Sequence, residues 1–142
     1  MGLLKKLFGK KETLVVEERI TPPPPPEPEP IEVREVTAHE LGNLLELDGP
    51  VTVVDLRQAW EYNSGRIPGA INVPMMELPA RLKDLPKEGH LIMQCYHGYT
   101  SLDASAYLIQ NGWQADQVSS LAGGMSGWVA SQGIESLERD ME

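Results

Sequence analysis

The chain predicts an α/β domain with a central parallel five-stranded sheet flanked by helices and a disordered N-terminal tail. Three observations lead there. From residue 31 onward, short apolar or β-branched runs alternate with segments of helical pattern, the order expected of parallel strands joined by crossover helices. Seven of the twelve prolines fall within residues 22–30, which sets the preceding residues apart. At 142 residues the chain has room for one domain and little more.

The elements follow in order. Val33–Val36 is a short strand, and Thr37-Ala38-His39-Glu40 is a capping box that opens a helix to about Leu47. Asp48-Gly49-Pro50 is a turn. Val51–Asp55 is a β-branched run suited to a buried strand. A helix is expected from about Gln58 to Asn63, stopping near Gly65, then a strand at Ala70–Val73 and one or two helical turns over Met75–Leu82. Leu91–Cys95 is the next strand. Thr100 and Ser101 are expected to cap a helix reaching about Asn111, with Gly112 beyond its end. Gln117–Leu121 is the last strand and Gly124–Gln132 the closing helix.

The N-terminal residues divide in two. Residues 1–11 place Leu3, Leu4, Leu7 and Phe8 on one helical face with Lys5, Lys6, Lys10 and Lys11 beside it. That pattern fits an anionic membrane surface, a solvated tail being the alternative. Gly2 is no myristoylation site, because Lys6 stands where the motif needs Ser or Thr. Residues 12–30 form a linker rich in Pro and Glu, stiff and extended. It is a weaker candidate for an SH3-type ligand, since no basic residue flanks the prolines closely. Residues 31–142 form the domain.

Composition excludes some functions. The formal net charge is −9, and residues 31–142 carry all of it, with seven Lys/Arg against sixteen Asp/Glu. Nucleic acid is therefore not an expected partner. A single cysteine allows no internal disulfide and suits a reducing compartment, so a cytoplasmic protein is expected, peripheral at a membrane if residues 1–11 bind lipid. No membrane-spanning stretch or secretory signal is expected. His39, His90 and His97 fall at no metal-ligand spacing, so neither a metal nor another cofactor is expected; Met75 and Met76 are read as core or pocket wall.

Chemistry points to Cys95. The thiol ends a strand run, a short loop with Gly98 follows, and a helix begins. Backbone N–H groups of such a loop and first helical turn converge on one spot. A thiolate is the reactive form of cysteine, and a helix N-terminus favours it. The alternative is a small buried hydrophobe. Gly98 gives the loop its bend. His97 is read as facing solvent with its N–H available, or as a proton shuttle. Tyr96 and Tyr99 shape the pocket mouth or cover apolar surface. Thr100 and Ser101 cap the helix, or offer a hydroxyl to the sulfur. Asp55 and Arg57 are expected to pair and tie loops beneath the site. Trp113 and Trp128 are expected to be packing residues.

Three segments together resemble the rhodanese superfamily. The first runs Val54-Asp55-Leu56-Arg57, Glu61-Tyr62, then Gly65-Arg66-Ile67-Pro68-Gly69-Ala70-Ile71-Asn72. The second is the Cys95 loop, and the third is Leu121-Ala122-Gly123-Gly124-Met125-Ser126-Gly127-Trp128. Together they span nearly all of residues 31–142, in the family's order and spacing. The resemblance implies a rhodanese-like fold and a sulfurtransferase. A sulfane sulfur would pass from thiosulfate or a persulfide donor to Cys95, then to cyanide, a thiol or a thioredoxin-like acceptor. Tyr96, His97, Gly98, Tyr99, Thr100 and Ser101 would bind substrate, with Asp55, Arg57 and Arg66 in support.

Loop length and composition refine that expectation. Related cell-cycle phosphatases have a loop one residue longer, with Arg six positions after Cys. Ser101 stands there, and it cannot clamp a phosphate bidentately. Many sulfurtransferases have Arg five positions after Cys, where this chain has Thr100. Small single-domain bacterial rhodaneses with a Cys-Tyr-His-Gly loop also lack that Arg, and this chain looks most like them. Arg66 replaces the family's usual His and is expected to bring cationic charge nearby. The alternatives are a membrane-associated persulfide carrier or rhodanese-like binding module delivering sulfur to a partner protein, and a non-catalytic rhodanese-like domain; retention of Cys95 argues against the last.

Overall fold

A computed structural model describes residues 21–27, 30–47 and 49–140 of the chain. The expectations for residues 1–11, and for most of the linker, lie outside the described residues. Residues 21–27 are exposed and belong to no helix or strand. Residues 31–142 form a unit by themselves. Among the described residues, no helix is long and apolar enough to cross a membrane.

The sheet has five strands: β1 (Arg34–Val36), β2 (Val51–Asp55), β3 (Ile71–Asn72), β4 (His90–Gln94) and β5 (Val118–Leu121). Their spatial order is β1-β5-β4-β2-β3, and every pairing is parallel. β4 is central. Leu91, Ile92 and Met93 are all fully buried, which explains why this stretch reads as a continuous apolar run rather than an alternating one. Leu91, Met93 and Cys95 face one core with Val54, Leu56 and Val118; Ile92 faces the other with Val53 and Leu121.

Among the described residues there are five α-helices, four of them packed on the two faces of the sheet. α1 (Ala38–Glu46) and α5 (Gly124–Gln132) bury Leu41, Met125 and Trp128 on one side. α3 (Leu78–Arg81) and α4 (Thr100–Gln110) bury Leu78, Ala104 and Leu108 on the other. α2 (Ala59–Ser64) sits near the carboxyl end of β2. Full burial of each large aliphatic side chain contributes on the order of 1.5–3 kcal/mol. The capping box of α1 is present: the Glu40 amide donates to Thr37 Oγ1 at 3.1 Å, and the Thr37 amide to Glu40 Oε1 at 2.9 Å. Trp113 and Trp128 are buried, their indole N–H groups donating to Pro86 O and Ser136 Oγ. Met75 packs partly buried against the core, whereas Met76 is exposed and part of no core.

The loops at the carboxyl edge are tied by one buried ion pair. Asp55 is fully buried and accepts Arg57 Nη2 at 2.8 Å and Nε at 3.0 Å, as well as the Arg57 amide. Arg57 Nη2 also donates to Gly65 O at 2.7 Å, and Asn72 Nδ2 donates to the carbonyls of Asp55 and Arg57. The pair therefore joins the ends of β2, α2 and β3. The Tyr62 hydroxyl adds a bond to Ala70 O.

Two glycines let the backbone of Cys95 and its loop approach the turn before α5. Gly124 has φ +56°, and a Cβ there would stand 2.4 Å from Cys95 O and 2.6 Å from Tyr96 O. Gly98 has φ +95°, and its Cβ would stand 2.8 Å from Gly123 N. No flexible side chain is there to give way. Gly124→Ala is expected to cost about 2–4 kcal/mol, combining left-handed strain with a backbone clash. Urea unfolding measures it, with Gly49→Ala, which meets no atom within 4 Å, as the control. Equal midpoints for wild type and Gly124→Ala would refute this close approach.

Candidate active site

Cys95 lies one residue beyond β4, at the carboxyl edge of the sheet, and is 7 % exposed. Parallel strands and their helices place such an edge where ligands bind. Its sulfur meets two backbone donors: the Gly98 amide at 3.1 Å and the Ser101 amide at 3.4 Å. Among the described residues the amides of His97, Tyr99 and Thr100 donate to no protein group, as expected at a helix N-terminus. A second helix holds the backbone from behind. The amide of Met125, in the first turn of α5, donates to Cys95 O at 2.8 Å, and that of Ser126 to Tyr96 O at 3.1 Å. Cys95 is thus fixed between the N-termini of α4 and α5.

The expected hydroxyl cap of α4 is not what forms. Tyr99 is the N-cap residue, with no side-chain cap bond, so Thr100 and Ser101 are already in the helix. Thr100 is exposed. The Ser101 side chain turns inward, fully buried, with Oγ 3.4 Å from Cys95 Sγ and 2.7 Å from Ser120 Oγ. A buried hydroxyl needs partners more than a helix end open to water does. The thiol donates to Ser101 Oγ, and Ser101 and Ser120 share the bond between them; a thiolate at the same place would accept from the Ser101 hydroxyl.

Ser120 was not singled out from sequence. Its signal was there, as two serines inside the otherwise apolar run Val118–Leu121, since a polar residue in a buried strand requires a partner. Ser119, facing the other way, is met by His90 Nε2 at 2.9 Å. Burial and the positive charge of Arg34 hold the His90 imidazole below its ordinary value.

The remaining candidates fall in different places. Tyr96, His97 and Tyr99 are exposed on the loop, with the Tyr96 and His97 rings edge to face at 4.5 Å. Asp55 and Arg57 face each other beneath the loops. Arg66 forms an ion pair with Asp140 at 2.8 Å, donates to Tyr62 O, and lies over the Tyr62 ring at 4.7 Å. Its backbone pairs with Glu138, so the C-terminal segment takes up the guanidinium. Among the described residues no group of His, Cys, Asp or Glu could hold a metal ion.

The family model for the rhodanese-like domain matches residues 37–131, a span that contains the strand, the Cys95 loop and the glycine turn just described. The chain belongs to the rhodanese-like domain family. This rhodanese-like chain is 34 % identical over 97 residues to a sulfurtransferase of Allochromatium vinosum, covering 68 % of this chain and 89 % of that one. It is 37 % identical over 78 residues to the thiosulfate sulfurtransferase GlpE of Shewanella oneidensis, covering 55 % and 75 %. A solved rhodanese-like domain protein from Staphylococcus aureus superposes with a TM-score of 0.68 at 32 % identity, covering 77 % of this chain and all of that one.

Removing the Ser101 hydroxyl takes a donor from the sulfur and an acceptor from Ser120. A hydrogen bond to a charged group contributes about 1.5–3 kcal/mol. Ser101→Ala is therefore expected to slow alkylation of Cys95 by iodoacetamide at neutral pH about tenfold, and Ser120→Ala less, in the same direction. Unchanged rates in both would show that the hydroxyl chain does not act on the sulfur.

Proposed function

We propose that the protein is a sulfurtransferase that carries a sulfane sulfur on Cys95, taken from thiosulfate or a persulfide and given to a thiophilic acceptor such as cyanide or a thiol. The observation that carries this reading is a buried sulfur at the carboxyl edge of the sheet that faces the amides of Gly98 and Ser101 and the Ser101 hydroxyl. Relatives named as sulfurtransferases support it.

The chemistry needs no further group. The Cys95 thiolate attacks the outer sulfur of thiosulfate, the S–S bond breaks, and sulfite leaves with its electron pair. A Cys95 persulfide remains. Cyanide then attacks the outer sulfur, thiocyanate leaves, and the thiolate returns, a double-displacement cycle. Negative charge is present at every stage, and preorganised N–H groups stabilise it. The loop N–H groups left without a protein acceptor are available to the outer sulfur.

Thiocyanate formation from thiosulfate and cyanide tests the reading. Cys95→Ser is expected to fall to the uncatalysed background; a rate equal to wild type would overturn the proposal. Thr100 supports a second expectation. It is exposed at the start of α4, where an arginine would add a charge for the dianionic donor. Thr100→Arg is expected to lower KM for thiosulfate about fivefold, read from initial rates. An unchanged KM would show that backbone donors alone set donor affinity.

A further inference from the structure

Strand β4 ends on a residue out of keeping with its neighbours. Leu91, Ile92 and Met93 are apolar and fully buried, and Gln94 follows them into the core, also fully buried. Successive side chains of a strand point to opposite faces, so Gln94 shares the face of Ile92, on the side covered by α5. Its amide turns back to the chain: Nε2 donates to the carbonyl of the next residue, Cys95, at 3.0 Å. The Cys95 oxygen also accepts the Met125 amide, at 2.8 Å. The carbonyl fixes which way the side-chain amide faces, because the opposite orientation would set two carbonyl oxygens against each other.

The other half of the amide gains nothing. Gln94 Oε1 meets no donor among the described residues, and a buried acceptor without a donor works against folding. A methionine or leucine would fill this place without that cost, as Ile92 and Met93 do beside it. The side chain therefore makes one polar contact, and that contact is on the nucleophile's own carbonyl. The mechanical consequence is specific. A carbonyl oxygen held by one donor can still turn about that bond; with donors at both lone pairs, the plane of the peptide between Cys95 and Tyr96 is fixed. This peptide begins the loop whose Gly98 and Ser101 amides face the sulfur at 3.1 and 3.4 Å. A turn of its plane moves those amides relative to Sγ.

We infer that Gln94 is a positioning residue for the Cys95 nucleophile: it ties the Cys95 carbonyl to the central strand while Met125 ties it to α5, and so holds the sulfur and the loop amides in register. It touches no substrate and acts only through Cys95. The next carbonyl, Tyr96 O, is held from α5 by the Ser126 amide; Gln94 is the side chain that anchors the start of the loop to the sheet. The inference rests on the sulfur-transfer reading for the reaction it serves, and on hydrogen-bond geometry alone for the positioning.

Gln94→Met in the full chain keeps the length of the side chain and removes both its donor and its unmet acceptor. Its urea midpoint is expected to equal or exceed that of wild type. Cys95 is the single cysteine, so cysteine carrying carbon-13 at the carbonyl marks this one group. Its infrared band is expected to move to higher frequency in Gln94→Met, as a carbonyl that has lost a donor. Alkylation of Cys95 by iodoacetamide, and loading of sulfur from thiosulfate in a single turnover, are each expected to slow about fivefold, a factor of the size one neutral hydrogen bond supplies. Gln94→Leu is expected to give the same results and takes the place of the methionine variant should that one fold poorly. An unshifted band, or alkylation as fast as in wild type, would overturn the inference. Rates that fall only together with a lowered midpoint would overturn it too, by assigning Gln94 to the fold. A shifted band and slowed alkylation, in a protein that takes no sulfur from thiosulfate or a persulfide, would leave the positioning standing and overturn the sulfur-transfer reading.

Discussion

The contact between the carbonyl of Cys95 and the amide of Met125, at 2.8 Å, is the one on which the site depends. It brings the N-terminus of α5 against the back of the nucleophile while the N-terminus of α4 faces its sulfur. Both helices direct their unpaired N–H groups and positive dipole ends at the same residue. Neither approach tolerates a side chain in between. Gly124 and Gly98 hold positive φ with backbone within 3 Å of where a Cβ would stand. The sequence Gly123-Gly124 is thus an element of the active site although it contributes no functional group.

Around this contact, polar groups are allocated by burial. The buried hydroxyls of Ser101 and Ser120 serve the sulfur, and the buried carboxylate of Asp55 serves Arg57 and the loop backbone. A charge left unpaired in such surroundings would cost several kcal/mol, so Arg57 is held by Asp55 and Gly65 and offers little to a substrate. The sulfur instead faces two amides and one hydroxyl. Such donors are neutral, fixed and close, and act without reorganising during the reaction.

Much of this could be read from the sequence, and the failures have physical causes. Local signals were legible. The capping box Thr37-Glu40, the β-branched run Val51–Asp55 and the strand-to-helix change at Cys95 each depend on neighbours a few residues away, and each element forms close to the expected residues. The paired segments that carry the family resemblance placed the Cys95 loop and the Gly123-Gly124 turn in one domain. What escaped depends on distance along the chain. Ser101 reads as a helix cap by its position, yet its partner is Ser120, brought alongside by the pairing of β4 and β5. Arg66 reads as cationic charge near the site, and its partner Asp140, 74 positions away, carried no local signal. Residues 133–140 carry no periodic pattern, so their return to Arg66 was not visible.

The central claim is that the sulfur of Cys95 itself receives the transferred atom. Because Cys95 is the chain's single cysteine, intact-mass spectrometry after incubation with thiosulfate tests that claim directly. The account predicts a mass increase of one sulfur atom, removed by dithiothreitol and absent from Cys95→Ser. An unmodified protein after incubation, or an adduct that survives in Cys95→Ser, would contradict it.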